Sequence, residues 1–228
     1  MVQAQECRFT ELLLFIMDRR HFVKIAAASL ATSPLLAAAQ ERFTEGKHFV
    51  TISPRQPTRD PKQVEVLEFF AYGCSHCNAF EPAIDAWQKK LPSDVLFRRI
   101  PVAFREVPFV MHQKVYFAIE TLGLVEQLHR KVFAALHAER QRLEKAEEIA
   151  DFAARNGVDR TRFLDALNSF AVATKAKQAT ALATGYKIEG TPSIGVDGSW
   201  LTTGSMAGTN ERSLVVTEYL VGLARRGA

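Results

Sequence analysis

The sequence predicts an α/β fold in which one sheet domain is interrupted by a helical one. Three observations carry this. A β-prone run, a helix and a second β-prone run follow in close order over residues 63–104. Residues 108–184 then read as helix after helix. β-branched runs return at residues 191–204, ahead of a closing helix. Strand–helix–strand of this length is a βαβ unit, and the later hairpin and helix complete its sheet layer.

The elements follow in order. "HFVTIS" (48–53) is a short strand candidate, and Pro54, Pro57 and Pro61 mark the approach to the next. "QVEVLEFFAY" (63–72) is so densely apolar that it suits a strand buried on both faces. Gly73 punctuates it. "CSHCNAFEPAIDAWQKKL" reads as a helix with Phe80, Ile84 and Trp87 at helical spacing. Pro82 interrupts that helix and predicts a kink. "VLFRRIPVAF" (95–104) is the second strand. Pro108 opens a helix that Gly123 closes, and another runs from Leu124 to Arg140. "KAEEIADFAARNG" (145–157) places Ile149, Phe152 and Ala153 on one face and ends on a helix-stop signal, Asn156-Gly157. Asp159 can cap the next helix, and a last one ends at Gly185. "TPSIGVDGSWLTTG" (191–204) reads as a hairpin about Asp197-Gly198. Thr209 caps the closing helix. The expected organisation is an upstream extension and signal over 1–39, a sheet domain over 40–107 and 185–228, and a helical insertion over 108–184.

Composition narrows the function. A chain of 228 residues with 47% hydrophobic content and 16 Phe suits one well-cored, aromatic-rich domain with an insertion. Net charge is +4 with no basic block, which gives nucleic-acid binding no support. No apolar run reaches the ~18–20 residues of a membrane-spanning helix. Three cysteines are too few for a disulfide scaffold.

The first residues read as an address. From Met17, a charged stretch (Arg19, Arg20, Lys24) leads into a mildly apolar one, and Ala37-Ala38-Ala39 supplies the small residues of a cleavage site before Gln40. "RRHFVK" also resembles a twin-arginine export motif, and general secretion stays open beside it. Residues 1–16 lie upstream of a complete signal, so Met17 is the expected start, and Cys7 would leave with the signal in either case. The exported chain then keeps two cysteines, both in one C-x-x-C.

That pair, Cys74 and Cys77, falls at the strand-to-helix junction. The helix N-terminus offers free N–H groups and the positive end of the helix dipole, which favour a thiolate. Cys74 is therefore the expected exposed nucleophile. Cys77, nearly one turn on, is the shielded resolving thiol. His76 can add positive charge or a hydrogen bond near the Cys74 sulfur. Half a zinc site would need two further ligands. The histidines at 112, 129 and 137 are scattered over predicted helices and read as ordinary surface or core residues, so no metal and no cofactor is expected. An inert structural disulfide across so short a loop would constrain the unfolded chain little. A working redox pair is the preferred reading.

"VLEFFAYGCSHC", the helical insertion and "GTPSIGVDG" together resemble the DsbA family of bacterial periplasmic thiol–disulfide oxidoreductases, over about residues 45–225. The resemblance implies a thioredoxin-like fold with an inserted helical domain. It also implies a cis Thr191-Pro192 bond beside the disulfide that helps hold substrate backbone. Further implications are a periplasmic location, disulfide donation to newly exported proteins with cysteine pairs, and re-oxidation by a membrane partner of DsbB type. The family's usual dipeptide is Pro-His, whereas this chain has Ser75-His76. The family also places an acidic residue at Glu68, beneath the site, where it can relay protons. From the residues alone, Glu68 interrupts a buried strand and needs a partner; Arg99 in the next strand is the expected one, and Arg98 stays open. Phe69, Phe70 and Tyr72 read as core. The expected function is that of a monomeric dithiol oxidase. A disulfide isomerase or reductase of the same fold, or a chaperone-like peptide-binding module, is the alternative.

Overall fold

The computed structural model describes residues 43–104 and 108–227, and residues 43–228 form one unit. The expected signal segment, with Cys7, Met17 and the expected mature start at Gln40, lies outside the described residues.

Five strands make one sheet in the order β1-β5-β4-β2-β3. They are β1 (Val50–Thr51), β2 (Val64–Phe70), β3 (Val95–Pro101), β4 (Ser193–Val196) and β5 (Trp200–Thr203). β2 is central, parallel to β3 and antiparallel to β4. The crossover from β2 to β3 through helix α1 (Ser75–Gln88) makes that parallel pairing possible, because parallel neighbours need a long connection. β1 is only two residues long, shorter than the expected strand at 48–53, and adds antiparallel to β5. The β4–β5 turn falls at Asp197 and Gly198, at φ +50° and +70°. Both residues sit in the left-handed region, and the pairing of Val196 with Trp200 makes the connection three residues long, 197–199, one more than the expected two-residue turn.

Helix α1 (Ser75–Gln88) continues through Pro82 as one element. Between β3 and β4 come α2 (Phe109–Thr121), α3 (Val125–His137), α4 (Ala146–Arg155), α5 (Arg160–Leu167) and α6 (Phe170–Gly185). Asp159 accepts from the Arg162 N–H at the start of α5. The short α7 (Gly204–Ala207) precedes α8 (Asn210–Arg225), where Thr209 accepts from the Arg212 N–H. Strand alternation divides β2 between two cores. Leu67 and Phe69 face a cluster shared with α2–α6, whereas Val66 joins Phe80 and Ile84 of α1 and Leu214 and Leu220 of α8. Among the described residues, no helix is long and apolar enough to cross a membrane.

Candidate active site

β2 delivers the chain to Ala71, whose carbonyl accepts from the Cys74 N–H at 3.0 Å. This turn sets Cys74 as the N-cap of α1. In the cap position its Sγ accepts from the Cys77 N–H at 3.3 Å, one of the orphan donors of a helix start. The Cys74 thiol donates to the Thr191 carbonyl at 3.2 Å. Cys77 is one turn in, fully buried on the apolar stripe of α1 with Phe80, Glu81 and Ile84. Both thiols are free.

The two sulfurs differ electrostatically. The Cys74 thiol is pulled down to about 5 by a hydrogen bond from the Cys77 thiol, against burial, with help from Thr191 and from the backbone N–H groups of Cys77 and His76. Burial pushes Cys77 strongly up, and its bond to Cys74 and the charge there add to that. At neutral pH one pair therefore holds one thiolate and one thiol.

Glu68 stands in β2, six residues before Cys74, and is wholly buried. The parallel register sets it directly opposite Arg99. Arg99 Nε stands 3.2 Å from Glu68 Oε2, an ion-pair distance, yet the groups are not aligned as a hydrogen bond. The same guanidinium reaches Asp85 at 2.7 Å and Glu81 at 3.2 Å, both on α1. One cation thus faces three carboxylates. Burial, then the Glu81 charge, raises Glu68 to about 8, so it holds a proton at neutral pH. Arg98, one residue earlier and on the other face, pairs instead with Glu65 at 2.8 Å.

The comparisons with known proteins agree with this arrangement. Residues 65–213 match the model of the DSBA-like thioredoxin domain. The chain belongs to that family. The thiol:disulfide interchange protein DsbA of Pseudomonas aeruginosa is 37% identical over 209 residues, covering 92% of this chain and 99% of that one. Its counterpart in Burkholderia cepacia is 40% identical over 200 residues, 86% of this chain and 90% of that one. The crystal structure of Pseudomonas aeruginosa DsbA superposes with a TM-score of 0.78 at 38% identity, over 81% of this chain and 96% of that one.

Against that family framework, the Thr191-Pro192 bond is cis, and the Thr191 carbonyl oxygen lies 3.2 Å from the Cys74 sulfur. Thr191 and Pro192 also line a groove of about 560 Å³ with His76, Leu201 and Met206. His76 reaches the Cys74 sulfur through its backbone N–H, while the exposed ring faces this groove. The sequence reading expects positive charge or a hydrogen bond from His76, and the contact present is its backbone N–H. That reading also misses Glu81 and Asp85. Their signal was present: Glu81 stands four residues after Cys77, a carboxylate on the buried stripe of an amphipathic helix. Tyr72 is buried core, as expected, and the buried His129 and partly buried His137 each meet one of its polar atoms. All three meet at the turn before Cys74.

Proposed function

We propose that this chain is a DsbA-type thiol:disulfide oxidoreductase that donates a disulfide from Cys74–Cys77 to proteins with cysteine pairs. The asymmetry of the two sulfurs carries the reading: a half-buried Cys74 held as thiolate beside a buried Cys77 held as thiol. A substrate thiolate attacks Cys74 of the oxidised pair. The Cys74–Cys77 bond breaks, Cys77 leaves with the electron pair and takes up a proton, and a mixed disulfide forms through Cys74. The substrate's second thiolate then attacks its own sulfur in that bond, and Cys74 leaves as the stabilised thiolate. The substrate is oxidised by two electrons and the pair is reduced by two. A good leaving thiolate speeds the second step and makes the disulfide a strong oxidant.

The remaining roles follow from position. Thr191 and Pro192 present backbone to the substrate segment beside Cys74. His76 contributes its N–H to the thiolate and its ring to the groove wall. Glu68, protonated near neutrality, exchanges a proton with the buried Cys77 sulfur as the pair opens and closes. The substrates are newly exported, unfolded proteins. The site of action is the periplasm, reached through the N-terminal signal. The chain works as a monomer, and a DsbB-type membrane protein re-oxidises the pair. Equilibration with glutathione tests the core of this proposal. Ready reduction at low glutathione is the expected result. A pair that stays oxidised until strongly reducing conditions would instead fit a reductase or a structural disulfide.

A further inference from the structure

Tyr72 is the residue on which three elements meet. It follows β2, and the Ala71–Cys74 hydrogen bond makes it one of the two central residues of the turn that sets Cys74 at the helix start. It is buried, at 1% exposure, and both of its polar groups are gripped by α3. The Tyr72 hydroxyl lies 2.8 Å from His129 Nδ1, and His137 Nε2 lies 2.8 Å from the Tyr72 carbonyl oxygen.

The protons can be placed. A carbonyl only accepts, so His137 Nε2 carries a proton and donates it. His129 Nε2 lies 3.0 Å from Glu81 Oε1. His129 and Arg99 hold Glu81 as a carboxylate in spite of its burial. His129 Nε2–H therefore donates to Glu81, and Nδ1 accepts the Tyr72 O–H. The Tyr72 hydroxyl and both ring nitrogens of His129 are satisfied by one arrangement of hydrogens, which fixes the ring orientations.

The helix is patterned for this task. His129, Phe133 and His137 recur every fourth residue and form one stripe along α3. The stripe spans about 12 Å of axis, and Tyr72 lies along it. Phe133 packs edge-on to the Tyr72 ring at 4.9 Å and stacks with His137 at 6.1 Å. The tyrosine tip, ring and carbonyl thus meet successive residues of one helix face. The next peptide units carry Gly73 and Cys74, whose sulfur accepts from the Cys77 N–H at 3.3 Å. Hydrogen bonds of that length weaken steeply with misalignment.

We propose that His129 and His137 are positioning residues for the redox pair, acting through Tyr72, so that the helices between β3 and β4 tune the Cys74 thiolate. The inference rests on the oxidoreductase reading of Cys74. Neither histidine touches the reacting sulfurs. They hold the turn that does.

The test compares His137→Ala, His137→Gln and Tyr72→Phe with the parent chain. The readouts are the glutathione equilibrium, the Cys74 thiolate titration by ultraviolet absorbance, and denaturant melts of both redox forms. His137→Ala is expected to shift the glutathione equilibrium toward the protein disulfide by about five-fold, the worth of one hydrogen bond. It should also raise the Cys74 pKa and weaken the reduced form more than the oxidised one. Glutamine keeps an N–H at the same reach and should restore most of the parent equilibrium. Tyr72→Phe should move it in the same direction as alanine, and it carries the test if the alanine variant does not fold. Equal destabilisation of both redox forms with an unchanged glutathione equilibrium would reduce the histidines to packing and overturn the proposal. So would a glutamine variant that behaves as alanine. A parent protein that proves weakly oxidising would instead sink the oxidase reading, and the shift between parent and variants would still decide this one.

Discussion

Arg99 and Glu68 face each other across the parallel β2–β3 pair at 3.2 Å, and the arginine is shared with Glu81 and Asp85. Three carboxylates cannot all ionise cheaply around one guanidinium in a buried site. The fully enclosed Glu68, which has no hydrogen bond among the described residues, is the one that keeps its proton. Burial works against the Arg99 charge, and the Glu81 carboxylate with the Asp85 hydrogen bond outweighs it.

Glu68→Gln should therefore change how stability depends on pH. The folded pKa of Glu68 is raised, from 4.5 to about 8. Its contribution is fully present below about 4.5 and is lost as pH rises through about 8, because the folded state alone holds the proton between those values. Relative to the glutamine variant, the parent protein should lose up to about 1.4 kcal/mol per pH unit across that window. Urea melts of both proteins at several pH values measure the slope. Parallel curves would mean that Glu68 titrates normally.

Thr191→Val removes a hydroxyl that helps hold the Cys74 thiolate. The Cys74 pKa should rise and the glutathione equilibrium should move toward the protein disulfide, by about five-fold for one neutral hydrogen bond. The fold should be retained, since valine matches threonine in shape. An unchanged thiolate titration would leave the Cys77 contact and the helix start as the whole cause.

Gly195→Ala should be a fold mutation. An added Cβ at this β4 position would overlap the ring of Tyr186. That ring cannot withdraw: its hydroxyl accepts from the Gly198 N–H at 2.9 Å, and it packs against Phe69 at 5.1 Å. Overpacking of this kind costs about 1–3 kcal/mol. Denaturant melts should find a similar loss in both redox forms, because the clash lies in the core shared by both.

Features set by neighbouring residues were legible in the sequence. The Asp197-Gly198 turn, the Asp159 and Thr209 caps and the Cys74 helix start each depend on a few adjacent side chains, and each lies where the pattern put it. The choice between Arg98 and Arg99 was not legible. It is a question of strand parity, and the β2–β3 register that settles it is a tertiary fact. Likewise, nothing local to α3 says that its histidine stripe will meet Tyr72, more than fifty residues earlier. Histidines four residues apart on a helix face share a side, but packing alone decides what lies across from them. The redox pair could be read because its chemistry is local. The network that tunes it could not, because every link crosses from one element to another.

The reduced protein should be more stable than the oxidised one near neutral pH, the reverse of an ordinary structural disulfide. Only the reduced form has a Cys74 thiolate, and the folded state lowers its pKa to about 5, through the Cys77 thiol first and then Thr191 and the N–H groups of the helix start. The sign follows from the depressed value. The contribution is fully present above the unfolded thiol pKa of ~8.5 and is lost as pH falls through about 5. Cys74 is only half buried, so solvent screening trims the effect without reversing it. The stability gap between the two redox forms should then be widest in mildly alkaline solution and should close as acid protonates Cys74. Cys77, pushed upward by burial, keeps its proton in the folded state, so it adds no slope until the unfolded thiol starts to ionise near ~8.5, above which it narrows the gap. Replacing His76 by alanine should leave most of the gap, since its N–H remains, whereas a proline there would remove that donor and shrink it. Denaturant melts of both redox forms from pH 4 to 9 decide the matter. An oxidised form that is the more stable at pH 7 would contradict the thiolate argument and, with it, the assignment of the pair as an oxidant.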